Sequence, residues 1–96
     1  NKRSALSIIN SLSSLYSIQL YEILVQAPNS KTLKVNLNDL VRKMNLPYKR
    51  YSEIARRVIK PAIQELNEKS NLILAWKPVK GSRFVTMVEF EIAYAG

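Results

Sequence analysis

The stretch from Tyr48 to Lys69, YKRYSEIARRVIKPAIQELNEK, constrains the fold more than any other part of the chain. At about 100° per residue, Tyr51, Ile54, Ala55, Val58, Ala62 and Leu66 fall on one side, and Lys49, Glu53, Arg56, Lys60, Gln64 and Asn67 on the other. A long helix divided in this way needs a core against one face and leaves the other for something outside the chain. Pro61 lies within it, removes a backbone donor, and is expected to kink or break the rod near Arg57 to Lys60. The charge is localised here as well. Between Arg42 and Lys60, seven basic residues (Arg42, Lys43, Lys49, Arg50, Arg56, Arg57 and Lys60) face Glu53 alone, which puts +6 of the chain's formal +8 in this region.

The segments on either side supply the core. From Ser14 onward, Tyr16, Leu20, Ile23, Leu24 and Ala27 recur at helical spacing until Pro28-Asn29-Ser30 stops the pattern. Leu33 to Val35 alternates as a short edge strand does. Asn36 is placed to cap a second helix, with Asp39 complementing its first turn and Leu37, Leu40, Val41 and Met44 forming its buried stripe. Asn45-Leu46-Pro47 then breaks the pattern and the long helix follows. After Asn71 the period changes to two: Leu72, Leu74 and Trp76 alternate with Ile73, Ala75 and Lys77, and Phe84, Thr86, Val88, Phe90 and Ile92 form a second alternating run. Pro78 to Arg83 carries the turn residues between them, so the pair reads as a hairpin whose tip holds Lys77, Lys80 and Arg83 and no acid.

A short helix, a tight turn, a longer basic helix and a basic-tipped hairpin make an α+β winged helix, a helix-turn-helix with a β-hairpin wing. Residues 15–96 are read as this single domain and residues 1–14, polar and serine-rich, as a leader or the remnant of an interdomain linker that docks loosely. A start at Asn1 rather than Met is expected of a segment from a longer protein.

Composition narrows the chemistry. With 47% hydrophobic residues, 96 residues suffice for one self-supporting core. The chain has neither cysteine nor histidine, which removes disulfides, thiolate catalysis, the usual zinc ligands and the usual general base. Glu65 and Glu68 lie three apart on a helix, a poor metal site without a further ligand. No cofactor, metal or catalytic residue is expected. No run of 18 apolar residues occurs, and a soluble, cytoplasmic protein is expected.

Net positive charge of this size suits a polyanion. On the long helix, Arg56 is placed to pair the two acceptors of a guanine edge. Lys49, Arg50, Arg57 and Lys60 flank it and suit phosphates. Glu53 suits a cytosine amine, or else an ion pair with Arg56 or Arg57. Ser52 is either a helix cap or a phosphate ligand. On the wing, Lys80 and Arg83 suit backbone contact. Trp76 and Tyr51 share faces with core residues, whereas Tyr48 at the helix entry could pack or stack.

The runs LYSIQLYEIL, KRYSEIARRVIKPAIQELNEKSNL and KPVKGSRFVTMVEFEI resemble, in order and spacing, the C-terminal winged-helix half of the iteron-binding replication initiators (Rep proteins) of theta-replicating plasmids. The resemblance covers Leu15 to Ile92. Its most specific pieces are Leu20-Tyr21-Glu22, Arg57-Val58-Ile59 with Pro61-Ala62 and Glu65-Leu66-Asn67, and the Lys80-Gly81-Ser82-Arg83 turn. One departure stands out: family members usually join Gly and Arg directly at the wing turn, and here Ser82 separates them. The resemblance implies sequence-specific binding of double-stranded origin repeats in a bacterial cytoplasm, a second winged-helix domain in the same protein, homodimers that repress, and contacts with host replication proteins. Carried onto matching positions, Lys49, Arg50, Ser52, Glu53, Arg56, Arg57, Lys60, Lys80 and Arg83 are the DNA-facing set. Two other readings share the fold: a transcription regulator that binds a palindrome as a dimer, and a protein-interaction or dimerisation module.

Overall fold

The computed structural model describes residues 5–27 and 31–94. Helix α1 (Ala5–Ser11) is followed by α2 (Leu15–Val25), strand β1 (Thr32–Asn36) and helix α3 (Leu37–Met44). The long helix comes next in three helical segments: α4 (Tyr51–Ile54), a π-helical turn (Ala55–Ile59) and α5 (Lys60–Lys69). Strands β2 (Leu72–Lys80) and β3 (Val85–Tyr94) complete the chain.

Several boundaries have a local cause. The Ser14 hydroxyl accepts a hydrogen bond from the Tyr16 amide and caps α2. Asn36 does the same for α3 through Asn38, as expected from its position. Helix α3 ends at Asn45, whose φ of 51° is left-handed, a conformation asparagine tolerates better than most residues. Leu37, Leu40 and Met44 are buried as anticipated.

The sheet is antiparallel with order β1-β3-β2, so the short strand expected at Leu33 to Val35 is an edge strand paired with β3. Its buried face carries Val35, Val88, Phe90, Ile92, Leu72 and Leu74. These pack with Leu20, Leu24, Leu40, Ile54, Ile59 and Leu66 of the helices into one core. The outer face aligns Lys34 and Lys77 on either side of Glu89. Lys77 therefore stands in mid-strand on the outer sheet face, not at the hairpin tip.

Three further expectations are corrected. The leader does not dock loosely: residues 5–11 form α1, and Ile8 and Leu12 enter the core. The Ser13 amide and hydroxyl, which follow α1, both donate to the Glu65 carboxylate of α5, at 2.9 and 2.5 Å. Next, the long helix begins at Tyr51 and not at Tyr48, with Arg50 in extended backbone at its N-cap. Finally, Pro61 does not break the rod. Backbone dihedrals stay helical through Ile54, Ala55, Ile59 and Lys60, and the irregularity is the widened turn before Pro61, where the Lys60 amide donates to Ala55 five residues back. The proline ring supplies no amide and crowds the carbonyl four residues before it, and the widened ladder absorbs both defects. A wider turn also advances less than 100° per residue. The phase behind it rotates, and Ile59 and Ile63, which uniform spacing leaves at the side of the stripe, are buried.

Candidate nucleic-acid interface

The turn at residues 45–50 and the long helix carry the basic cluster. Arg42, Lys43, Lys49, Arg50, Arg56, Arg57 and Lys60 are all exposed. Lys49 and Arg50 lie in the turn rather than on the helix face, because the helix starts later than its periodicity suggests. Ser52 is exposed within the first helical turn and is not the cap, and no side chain caps this end. Arg56 and Arg57 both lie in the π-helical turn, with Val58 and Ile59 buried immediately behind them. A widened turn thus anchors apolar residues in the core and leaves two adjacent guanidiniums outside.

Several partners within the cluster restrict what each cation is free to do. Arg42 is ion-paired with Asp39 on α3. The Arg57 guanidinium lies 5.7 Å from the Tyr48 ring centroid, a cation–π contact that ties the turn to the helix. Tyr48 itself is half-buried against the core, which favours the packing role over an open stacking surface. Glu53 is half-buried and, among the described residues, forms no ion pair with Arg56 or Arg57. Arg56 and Lys60 stand exposed and without an ion-pair partner among the described residues. Trp76 and Tyr51 pack on each other and on the core, with ring centroids 6.3 Å apart and ring planes at 59°.

That aromatic contact joins wing to helix. Strand β2 passes the first residue of α4 at Trp76 and continues to Lys80, where a four-residue loop, Gly81 to Phe84, reverses the chain. At about 3.3 Å per residue, Lys80 stands roughly 13 Å along the strand from Trp76. Lys80 and Arg83 are exposed. They make the tip of the wing basic, with no acid in the loop between them.

The rear half of the long helix holds the scaffold together, a role its residue pattern does not announce. Asn67, placed by periodicity on the outward face, donates from Nδ2 to the Leu74 carbonyl at 3.0 Å and accepts from the Leu74 amide at 2.7 Å. Its side-chain amide thereby pairs the free edge of β2 as a neighbouring strand would. Glu65 accepts from Ser13 and from Lys69 Nζ at 3.0 Å. Burial would raise its pKa, but the hydrogen bonds from Ser13 and from Lys69 outweigh it and hold the carboxyl well below the usual range. Burial, reinforced by Tyr94, pushes the Tyr21 hydroxyl up, and burial does the same for Tyr51. No signal short of the tertiary contacts themselves identifies the Ser13–Glu65 pair, which lies 52 residues apart in sequence.

Helix-turn-helix, three-stranded sheet and hairpin wing together define a winged-helix domain. Residues 36–92 match the family described as "Initiator Rep protein, WH2", and the chain belongs to it. The same architecture occurs in the crystal structure of Pi initiator protein in complex with iteron DNA, at a TM-score of 0.82 and 19% identity, over 93% of this chain. The chain spans 42% of that protein's length. It matches none of the curated protein sequences. Among the described residues, no helix is long and apolar enough to cross a membrane, and no group of three or more Asp or Glu residues is placed to hold a metal ion.

Proposed function

We propose that this domain binds double-stranded DNA at the directly repeated sequences of a plasmid origin, as one half of a replication initiator. The observation that carries the reading is the run of exposed cations on the turn and long helix, opposed by a single acid, on the winged helix of the Rep family. The long helix enters the major groove. Arg56, exposed and without an ion-pair partner among the described residues, reads a base edge. Lys49, Arg50, Ser52, Arg57 and Lys60 hold the flanking phosphates, and Glu53 borders the reading face. Lys80 and Arg83 on the wing grip the adjacent backbone. The domain contributes binding and not catalysis: assembly of initiator molecules on repeats promotes strand opening.

The Pi protein, whose structure holds iteron DNA, supports the assignment of a duplex ligand. A second winged-helix domain, homodimers that repress, host replication proteins as further partners and a site of action in the bacterial cytoplasm complete the proposal for the intact protein. Residues 1–14 serve as the connection to that second domain, clamped to α5 through Ser13.

Selection of a randomised duplex library on this domain at moderate salt tests the reading. A single asymmetric motif, lost in Arg56→Ala, is the expected result. A two-fold palindrome indicates a dimeric regulator instead. A pool with no enriched sequence refutes specific recognition and indicates a protein-interaction surface or a nonspecific phosphate grip.

A further inference from the structure

The largest exposed apolar side chain on the wing is Phe84, with 76% of its surface accessible, more than any other large hydrophobic residue described. It sits at the last position of the hairpin loop, directly after the Ser82–Arg83 apex of the wing, with Arg83 beside it and Lys80 across the turn. Its backbone is held: the Gly81 amide donates to the Phe84 carbonyl at 2.8 Å. The loop is also tight around Gly81, where a Cβ would come within 3.0 Å of the Thr86 methyl group. A well-anchored backbone therefore presents a phenyl ring to solvent, flanked by two exposed cations.

We infer that Phe84 is a wedge, which enters the minor groove beside the helix's own footprint and partly unstacks one base step. This rests on the duplex-binding reading above and adds a contact that neither the basic cluster nor the wing cations supply. The placement follows from the fold. Trp76 touches Tyr51 at the start of the long helix, and about 16 Å of strand separates Trp76 from Gly81. A major groove is about 12 Å wide, so a wing rooted beside a helix in that groove passes the bordering phosphates and ends over the next minor groove.

There, Lys80 and Arg83 meet phosphates and the ring meets base edges. Apolar side chains in minor grooves act by insertion between stacked bases. Such insertion favours flexible pyrimidine–purine steps. The wing then contributes sequence preference through deformability, at a position the helix does not touch. An aromatic ring between cations also suits an anionic lipid surface, but a tip that shares its root with the basic helix favours DNA.

The test places 2-aminopurine at successive positions flanking the motif selected by the domain. Wild type is expected to brighten the probe at one step. Phe84→Ala is expected to abolish that signal and to lower affinity on the order of tenfold, while Phe84→Leu retains the signal. Lys80→Ala is expected to weaken binding and keep the signal. Because the ring is outside the core, Phe84→Ala should melt at the wild-type temperature. Wild-type binding with no brightened position, or brightening that survives in Phe84→Ala, overturns the wedge and leaves duplex recognition standing. No duplex binding by wild type removes both. Phe84→Ala that binds DNA normally but loses phosphatidylglycerol vesicles reassigns the ring to lipid and overturns the wedge.

Discussion

Replacing Glu65 with glutamine tests whether the carboxylate of α5 fastens the N-terminal segment to the domain. Three donors reach its Oε2: the Ser13 amide, the Ser13 hydroxyl and Lys69 Nζ. The Glu65 side chain is 12% exposed, the Lys69 side chain 39%. The lysine is open enough to water for that pair to contribute less than about 1 kcal/mol. The two Ser13 bonds run to a charged acceptor, worth about 1.5–3 kcal/mol each when shielded and less at an exposed serine. Glutamine keeps the shape and one acceptor, so the loss is that of the charge, about 2 kcal/mol in all. For a chain of this length that corresponds to a fall in Tm of roughly 8–16 °C. The pH dependence is the sharper readout. The folded-state pKa of Glu65 is depressed from its reference of 4.5, so its stabilisation is complete at neutral pH and is lost as pH falls below about 4.5 toward the folded value. Thermal melts of both proteins between pH 7 and pH 3 should show a gap that is widest at pH 7 and narrows with acid. A gap under about 2 °C at pH 7, or one that stays constant down to pH 3, refutes the clamp.

Other substitutions probe the remaining arguments. Asn67→Ala leaves both Leu74 backbone groups without their side-chain partner and is expected to cost about 1–2 kcal/mol by urea denaturation; an unchanged midpoint shows that water replaces the side chain at no cost. Arg56→Ala is expected to lose about 1–3 kcal/mol on the selected duplex and to relax preference at one base position. Equal losses on selected and random DNA in a competition assay deny it a base-reading role. Lys80→Ala should weaken all duplexes alike and reduce the slope of log affinity against log salt by about one, as expected for a single phosphate contact; an unchanged slope removes that contact.

Local chemistry in the sequence accounts for much of the architecture. Strict alternation after Leu72 requires strands, the Asn36 cap starts α3, and the stripe Leu37, Leu40, Met44 faces the core because neighbouring backbone geometry alone dictates it. The pieces that carry the family resemblance prove largely structural. Tyr21, Val58, Ile59, Ala62 and Leu66 are buried, Glu65 anchors Ser13, and Asn67 pairs the β2 edge. The positive charge of the helix and turn was equally legible, since adjacent lysines and arginines with one acid remain a cationic surface in almost any packing.

What could not be read locally depends on contacts between distant residues or on the accumulated geometry of the rod. Ile8 and Leu12 look like isolated apolar residues in a polar leader until the rest of the core supplies a place for them. A helix phase holds only while every turn is the same, and the π-helical turn ahead of Pro61 shifts it for all the residues behind. Lys49 and Arg50 lie outside the helix, which begins at Tyr51, the residue that packs on Trp76 of the distant strand β2. Phe84 fits the strand alternation, yet only the folded hairpin shows that the sheet ends one residue later and leaves the ring outside. Sequence by itself determined which elements form and where charge accumulates, through interactions that span a few residues. Tertiary structure decided which side chains are used up in holding those elements together, because that depends on partners as far as 52 residues away.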